Sequence, residues 1–579
     1  MQWLQNGKNA TPNRMLKRTD RGLLVNPLSY LSLNRLVYAL VVVSLLIFIA
    51  WPVLAVLKES LFQDGTLTWH NYRTLFTGRR YLLLNSMLVA VLSTLLAVFL
   101  GLATAVYLYN RRSRGKNLIY LTLLLSMVSP PFIGSLAYIM LFGRRGLITF
   151  QLLGINWNPY GWHGIVLMQG IAHTALAALI ISGVLHSMDR EVEMASRDLG
   201  ASPAQTLWHI TLPRAWPGIA IAAMLSFILS LADFGTPIII GGNFTVLATE
   251  AYLQAIGLYN LHMAAAMGVL LLIPSIIIFA FYRKYMNRIQ LYSARTAGNP
   301  EAGAGLPGLA QLFLAVIVWG FVGFQLLQYA TILAGAITQT WGVDYSFTLR
   351  HIEIICNSQM GSFYRSLLYA FIAALSGSLI GIYLSYMLEW KKPRGYRGVD
   401  FLATLPYMIP GPFLGIAYIM AFHSGPLVLT GTAFIVIANC VFRQLPISTK
   451  AGAAVLSQIQ PELESCARDL GASEWQAFKD VVLPQLKPAF LVSFIDTFNA
   501  TMTTIGAIIF LVTPGALLLT VEMFNQIKTG RIGLAAVMAN MIILSTVLVN
   551  LAVAFFLWRG KINWPGKSKK EARYVPAAN

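Results

Sequence analysis

The chain has 579 residues, of which 57% are hydrophobic and only 11% charged, and its mean hydropathy is +0.65. A soluble chain usually carries about 25% charged residues, so a water-soluble globular enzyme is excluded, and the uninterrupted apolar runs do not match the roughly ten-residue alternating strands of a membrane β-barrel. The net charge of +20 invites a nucleic-acid reading, but the charge clusters between apolar runs, which is how membrane proteins set their orientation.

A basic tail, 1–34, precedes the first apolar run, 36–57. That run is longer than the core of a signal peptide and lacks a small-residue cleavage site after it, so it reads as a retained transmembrane helix. Further runs lie near 82–109, 118–142, 163–187, 217–242, 262–282, 308–334, 364–388, 400–422, 427–449, 488–512 and 533–558. Each approaches or exceeds the roughly 20 residues that span a bilayer. The expectation is an all-α polytopic membrane protein with about twelve transmembrane helices. With the N-terminus inside, most Lys and Arg fall on the cytoplasmic side, in clusters such as Arg111-Arg112-Ser113-Arg114, Arg283-Lys284, Lys391-Lys392-Pro393-Arg394 and the Lys567–Lys570 tail. This positive-inside bias places both termini in the cytoplasm of a bacterial inner membrane. The partner implied by the charge is the lipid bilayer, not nucleic acid. Cys356, Cys440 and Cys466 fall outside, within and inside the membrane, so no structural disulfide and no metal site is expected.

The chain is two copies of one unit. "PPFIGSLAYIM" (130–140) matches "PGPFLGIAYIM" (410–420), and "SMLVAVLSTLLAVFLG" (86–101) matches "SLLYAFIAALSGSLIG" (366–381). Six spans per copy keep both in one orientation, so the repeats are parallel rather than inverted. The domains follow: tail 1–34, first repeat 35–283, linker 284–307, second repeat 308–558 and basic tail 559–579. The Gly-, Ala- and Pro-rich joint "SARTAGNPEAGAGLPG" suits a flexible cytoplasmic linker.

Between the fourth and fifth spans, each copy carries one charged segment: "EMASRDLGASPAQTLWHITLP" from Glu193 and "ESCARDLGASEWQAFKDVVLP" from Glu464. A plain connector needs only a few residues. Glu191, Glu193, Arg197 and Asp198 read as a helix continuing from the fourth span. Gly200 ends it in the left-handed cap conformation, and Ala201 leads to Ser202, an N-cap with Pro203 at the first helical position. A short helix then offers Leu207, Trp208 and Ile210 to a partner until Pro213 and Pro217 stop it. The second copy repeats the pattern with Gly471, Ala472, Ser473, Trp475, Phe478, Val481, Pro484 and Pro488. Two matched, exposed helices suit two matched docking sites on a soluble protein.

This segment resembles the EAA loop of ATP-binding-cassette importer permeases, which runs Glu-Ala-Ala, three residues, Gly, nine residues, Ile-x-Leu-Pro. From Gly200, Ile210 and Leu212-Pro213 fall in register, and from Gly471, Val481 and Leu483-Pro484 do. At the Glu-Ala-Ala positions stand Met194-Ala195-Ser196 and Ser465-Cys466-Ala467, with Glu193 and Glu464 one residue early. The fused twelve-span form, "LSLADFGTPIIIGGNFTVLATEAYLQ" (229–254) and "TTIGAIIFLVTPGALLLTVEMFNQI" (503–527) resemble the ferric-iron permease group. The resemblance implies the type I importer permease fold, a periplasmic solute-binding protein, and two copies of a cytoplasmic ATPase docked on the two loops. Ferric iron is the implied cargo, with a phosphorylated sugar, a phosphonate or thiamine as alternatives. No Gly-x-x-x-x-Gly-Lys-Ser/Thr segment is present, so ATP and Mg belong to the separate ATPase, and this chain is expected to bind no cofactor.

Ionisable groups inside spans mark functional paths or satisfied neighbours. Asp233, beside the helix-breaking Gly235-Thr236-Pro237, and Asp496, with Asn499 and Thr503 beyond it, are the candidates for lining the pathway from the two fifth-type spans. His173 and Asn85 read as packing groups. No catalytic or metal-binding constellation recurs, so the chain is not expected to be an enzyme. A twelve-span ion-coupled secondary transporter is the competing class, and it gives no reason for repeating the docking segment.

Overall fold

The structure, a computed structural model, describes residues 33–562 except 64, 111–112, 189–190 and 294–307. The tail before Leu33, Arg111-Arg112, most of the linker, and the tail with Lys567–Lys570 therefore lie outside the described residues.

Uniformly apolar sequence makes long helices, because a bilayer leaves the backbone no partner but itself. In the first repeat these are α1 (Leu33–Leu61), α2 (His70–Gly78), α3 (Arg80–Tyr109), α4 (Lys116–Val128), α5 (Pro131–Phe142), α6 (Trp162–His186), α7 (Glu191–Asp198), α8 (Pro203–Ala232), α9 (Gly235–Ile240), α10 (Leu247–Tyr252) and α11 (Leu261–Ser293). The second repeat gives α12 (Gly308–Ala336), α13 (Arg350–Ser358), α14 (Met360–Lys391), α15 (Tyr396–Thr404), α16 (Gly411–Phe422), α17 (Ala433–Leu456), α18 (Glu462–Asp469), α19 (Glu474–Gln485), α20 (Lys487–Thr503), α21 (Leu519–Lys528) and α22 (Ile532–Ile562). After each first span a small antiparallel hairpin precedes the next helix, β1 (Phe62–Gln63) with β2 (Thr66–Leu67) and β3 (Thr338–Thr340) with β4 (Asp344–Phe347).

Eight of these helices are long and apolar enough to cross a membrane, and three bent pairs bring the number to eleven. α17 stands where α6 stands in the first repeat, against the second span and the fifth, and its polar Arg443, Gln444 and Lys450 lower its hydropathy. With α17 the crossings number twelve.

The structure departs from the expected elements in three places. The runs 118–142 and 400–422 are not single helices: α4 stops at Val128, and the segment from Tyr396 to Tyr407 meets α16 at a 114° bend. The Pro130-Pro131 and Pro410-Gly411-Pro412 sequences explain this, since a residue before proline is driven out of the α region. α7 does not continue α6, which ends at His186. Pro213 and Pro217 do not stop the short helix after Ser202, which runs through both into the fifth span as α8. A π-helical turn, Leu207–Thr211, comes just before Pro213 and widens the helix where the proline ring would meet the carbonyl four residues back. In the second repeat the corresponding π turn, Ala477–Val482, is followed by a real break, with α19 and α20 meeting at 71°.

Each first span lies against its own repeat, α1 on α11 and α12 on α22, and also reaches into the opposite one. α1 packs on the second repeat: Trp51 Nε1 donates to the Ala421 carbonyl (3.3 Å), Tyr418 to Phe48 O (2.8 Å) and Tyr383 to Asn34 O (2.7 Å), while Phe48 stacks on Phe442. α12 packs on the first: Trp341 Nε1 donates to Met140 O (2.8 Å), Gln325 to Ser126 Oγ (2.8 Å) and Trp319 to Tyr107 Oη (3.3 Å). These donors find their partners in the opposite half, so the two first spans tie the repeats together.

Candidate functional site

The two charged loops share the same turn and the same helix cap. At Gly200 φ is +90° and at Gly471 +96°. Gly200 N donates to Arg197 O (2.8 Å) and Ala201 N to Ser196 O (3.1 Å); Gly471 N donates to Arg468 O (2.9 Å) and Ala472 N to Ala467 O (3.1 Å). This pair of bonds is the Schellman stop, for which a left-handed glycine is the favoured residue. Ser202 and Ser473 then cap the next helices. The serine Oγ accepts from Gln205 N or Gln476 N at 3.3 Å, and the glutamine Oε1 accepts from the serine N at 2.8 Å in both copies. These are complete capping boxes.

Glu193 and Glu464 point inward, each 6% exposed. Glu193 accepts from Tyr109 Oη (3.0 Å) and Thr211 Oγ1 (2.7 Å). Glu464 accepts from Tyr386 Oη (2.9 Å) and forms an ion pair with Lys391. Tyr109 ends α3, and Tyr386 and Lys391 end α14. Each loop is thus pinned to the end of the second span of its own repeat.

What the loops present outward differs from the sequence reading. Trp208 is 68% exposed, and Ile210 and Val481 are partly so. Phe478, however, is buried among the rings of Tyr383, Tyr386 and Trp475. Leu207 is half-buried against the cluster around Ala215, Trp475 is half-buried, and Pro213 and Pro484 sit within helices. The residue most presented by both loops is one that sequence reasoning passed over. Leu199 is 89% exposed and Leu470 90%, each just before its capping glycine.

Inside the membrane the four pathway candidates do not form one cluster. α8 ends at Ala232, and Asp233 leaves the helix. Asp233 Oδ1 accepts from Gly235 N (2.9 Å) and Thr236 N (3.2 Å), and Oδ2 accepts from Gln169 Nε2 (3.0 Å). The Gln169 oxygen in turn accepts from Ser93 (3.2 Å) and Ser230 (2.5 Å). Thr504 occupies the Asp233 position in the second repeat, ending α20 as Asp233 ends α8. The two ends meet: a Cβ built on Gly235 would lie 3.5 Å from Asp233 Oδ1 and 3.9 Å from Ile505 Cγ2. Asp496 lies eight residues before Thr504, about 12 Å down a helix, and its Oδ2 has no hydrogen-bond partner. Asn499 turns to Asn550 on α22 (3.1 Å), and Thr503 Oγ1 donates to Asn499 O (2.8 Å). Asn85 donates to Thr245 O (2.9 Å), while buried His173 Nδ1 has no partner. Among the described residues no group of three or more His, Cys, Asp or Glu is placed to hold a metal ion.

A family model described as the binding-protein-dependent transport system inner membrane component matches residues 97–290 and again 377–559. Together these cover more than half of the chain. The chain belongs to this family.

This permease is therefore a multi-pass inner-membrane protein with the type I importer permease fold, carrying two family domains in one chain. It is 30% identical to a ferric transport system permease protein, FbpB, of Actinobacillus pleuropneumoniae, over 90% of this chain and 77% of that one. It is 31% identical to a putative ferric transport system permease of Haemophilus influenzae, over 82% and 77%. One half resembles a putative 2-aminoethylphosphonate permease, PhnV, of Salmonella paratyphi A, 26% identical over 40% of this chain and 88% of that one. Sequence reading of the permease missed Tyr109, Thr211, Tyr386 and Lys391, because each meets its glutamate only through the fold. Gln205 and Gln476 were readable from the Ser-x-x-Gln spacing. The partly buried cation Arg443 carried a signal as well, since it interrupts an apolar run.

Proposed function

We propose that this permease imports ferric iron delivered by a periplasmic binding protein, driven by two cytoplasmic ATPase subunits. One subunit docks on each charged loop, against Leu199 with Trp208 in the first and Leu470 in the second. The glycines set the turn, and Ser202 and Ser473 fix the helix that follows. ATP and Mg are held by the ATPase, this chain binds no cofactor, and its termini and both loops face the cytoplasm. The observation that carries the reading is the matched turn and capping box of two exposed loops in one chain. The names of the relatives support the cargo. When the ATPase dimer closes, the loops move together. Because Glu193 and Glu464 tie them to the ends of α3 and α14, that displacement passes into the second spans rather than being lost in a slack loop.

Proteoliposomes holding the permease with its ATPase, supplied with iron-loaded binding protein outside and ATP inside, should accumulate labelled ferric iron. Uptake driven equally well by an ion gradient without ATP would instead favour a secondary transporter.

A further inference from the structure

Arg443 is a cation inside a membrane-crossing helix. Its Nη1 donates to Thr504 Oγ1 at 2.6 Å, and a Cβ built on Gly411 would lie 3.0 Å from its Nη2. The guanidinium therefore stands where two broken helices meet, at the start of α16 and the end of α20. Among the described residues no carboxylate pairs with it, and Thr504 is its only hydrogen-bond acceptor. A guanidinium has five donors. None of its nitrogens is among the buried atoms without a partner, and the residue is only partly buried, so the remaining donors are not sealed in packed protein. Removing an unpaired charge from water costs several kcal/mol, and charges held at membrane depth face a cavity or serve a path.

The comparison of the repeats makes its position more telling. Ser230 and Gln169 of the first repeat correspond to Thr501 and Cys440 of the second, and Asp233 to Thr504. Where the first repeat holds an acid, the second holds a hydroxyl, and Arg443 replaces the neutral Ala172. The Asp233 carboxylate is already occupied by three donors. Through the contact of Gly235 with Ile505, Asp233 and Arg443 flank one junction between the repeats. A bare trivalent cation would meet a repulsive charge at that junction, whereas an oxyanion would meet a planar fork that fits carboxylate or phosphate.

We propose that Arg443 contacts an oxyanion group of the transported solute. On the ferric reading, on which this partly rests, iron then crosses with an oxyanion ligand still attached. The alternative source of the same chemistry is a phosphonate cargo.

The complete complex in proteoliposomes tests this, with binding protein charged with radiolabelled ferric iron and ³²P-phosphate, and labelled 2-aminoethylphosphonate in a parallel arm. The expected result is entry of phosphate together with iron, and a fall of both on the order of tenfold in Arg443→Gln, as for loss of a charged hydrogen bond. Arg443→Lys should restore part of the rate. Co-purification of the ATPase with each variant checks assembly, and the phosphate-to-iron ratio in the unaltered protein stands even if Arg443→Gln fails to assemble. Iron entering without phosphate, or an assembled Arg443→Gln complex at the unaltered rate, overturns the proposal. Uptake of the phosphonate but not iron, lost in Arg443→Gln, overturns the ferric reading and leaves the oxyanion assignment standing.

Discussion

Tyr386 donates its phenolic hydrogen to Glu464 at 2.9 Å, joining the end of the second span to a loop 78 residues further along the chain. Tyr109 does the same for Glu193 at 3.0 Å in the other repeat. The remaining partner differs: a hydroxyl, Thr211, in the first loop and an ammonium, Lys391, in the second.

That difference predicts unequal damage. Glu193→Ala removes a shared acceptor from two neutral hydroxyls, of which Thr211 can still turn to the Thr206 carbonyl (3.4 Å), at roughly 1–3 kcal/mol. Glu464→Ala leaves a largely buried ammonium without its counter-ion, on the order of 3 kcal/mol or more. Transport-coupled ATP hydrolysis by the complex should fall in both variants and fall further in Glu464→Ala. Equal loss in the two, or a larger loss in Glu193→Ala, would show that the anchoring bonds do not set the coupling.

The second prediction separates the turn from the space around it. A Cβ on Gly200 or Gly471 would meet nothing within 4 Å, so substitution there is opposed only by the left-handed backbone, at about 1–2 kcal/mol. Gly200→Val with Gly471→Val should weaken ATPase binding while the purified permease keeps its melting temperature to within a few degrees. Gly200→Asn with Gly471→Asn should bind nearly normally, since asparagine tolerates the left-handed region. A valine pair that binds ATPase as the unaltered chain does would remove the loops from the docking surface.

The local features of the loops were legible because they depend on neighbours in the chain. A glycine at the helix end and Ser-x-x-Gln at the next start specify a stop and a cap wherever they occur. The interior was less legible. Runs 118–142 and 400–422 are mostly apolar on both sides of the bends, so only their prolines hinted at them. The reach of α1 and α12 into the opposite repeat leaves no periodic trace, because an apolar helix in lipid carries no stripe that says which neighbour it will meet. The inward turn of Glu193 and Glu464 depends on tyrosines 84 and 78 residues away. Phe478 was misread as outward for the same reason, since its ring partners lie at the end of the second span.

The third prediction concerns the polar network at the end of α8. In Asp233→Asn, one amide face must turn toward a donor: Gly235 N and Thr236 N on one side, Gln169 Nε2 on the other. Flipping Gln169 to help would take from Ser93 and Ser230 the oxygen that now accepts from both. The single variant should lose about 1–3 kcal/mol of stability, read as a lower melting temperature in detergent. Adding Gln169→Glu should restore it, because the new carboxylate accepts from the asparagine amide and still accepts from both serines. A double variant no more stable than the single one would show that these bonds do not hold the helix end.

The last prediction uses the permease's own cysteines to read its orientation. Cys356 is exposed on α13, beyond the first hairpin of the second repeat; Cys466 is exposed on α18, inside the second charged loop; Cys440 is buried. An odd number of crossings, α14 through α17 by way of the bent α15–α16 pair, separates Cys356 from Cys466. The two thiols must therefore face opposite compartments. With the positive-inside orientation, a membrane-impermeant maleimide added to spheroplasts should label Cys356 and spare Cys466. Sealed inside-out vesicles should give the reverse, and Cys440 should stay unlabelled in both until the protein is denatured. Single-cysteine variants with the other two thiols changed to serine assign each signal. Labelling of Cys466 from the periplasmic side would invert the chain in the membrane and put both loops out of reach of any cytoplasmic ATPase.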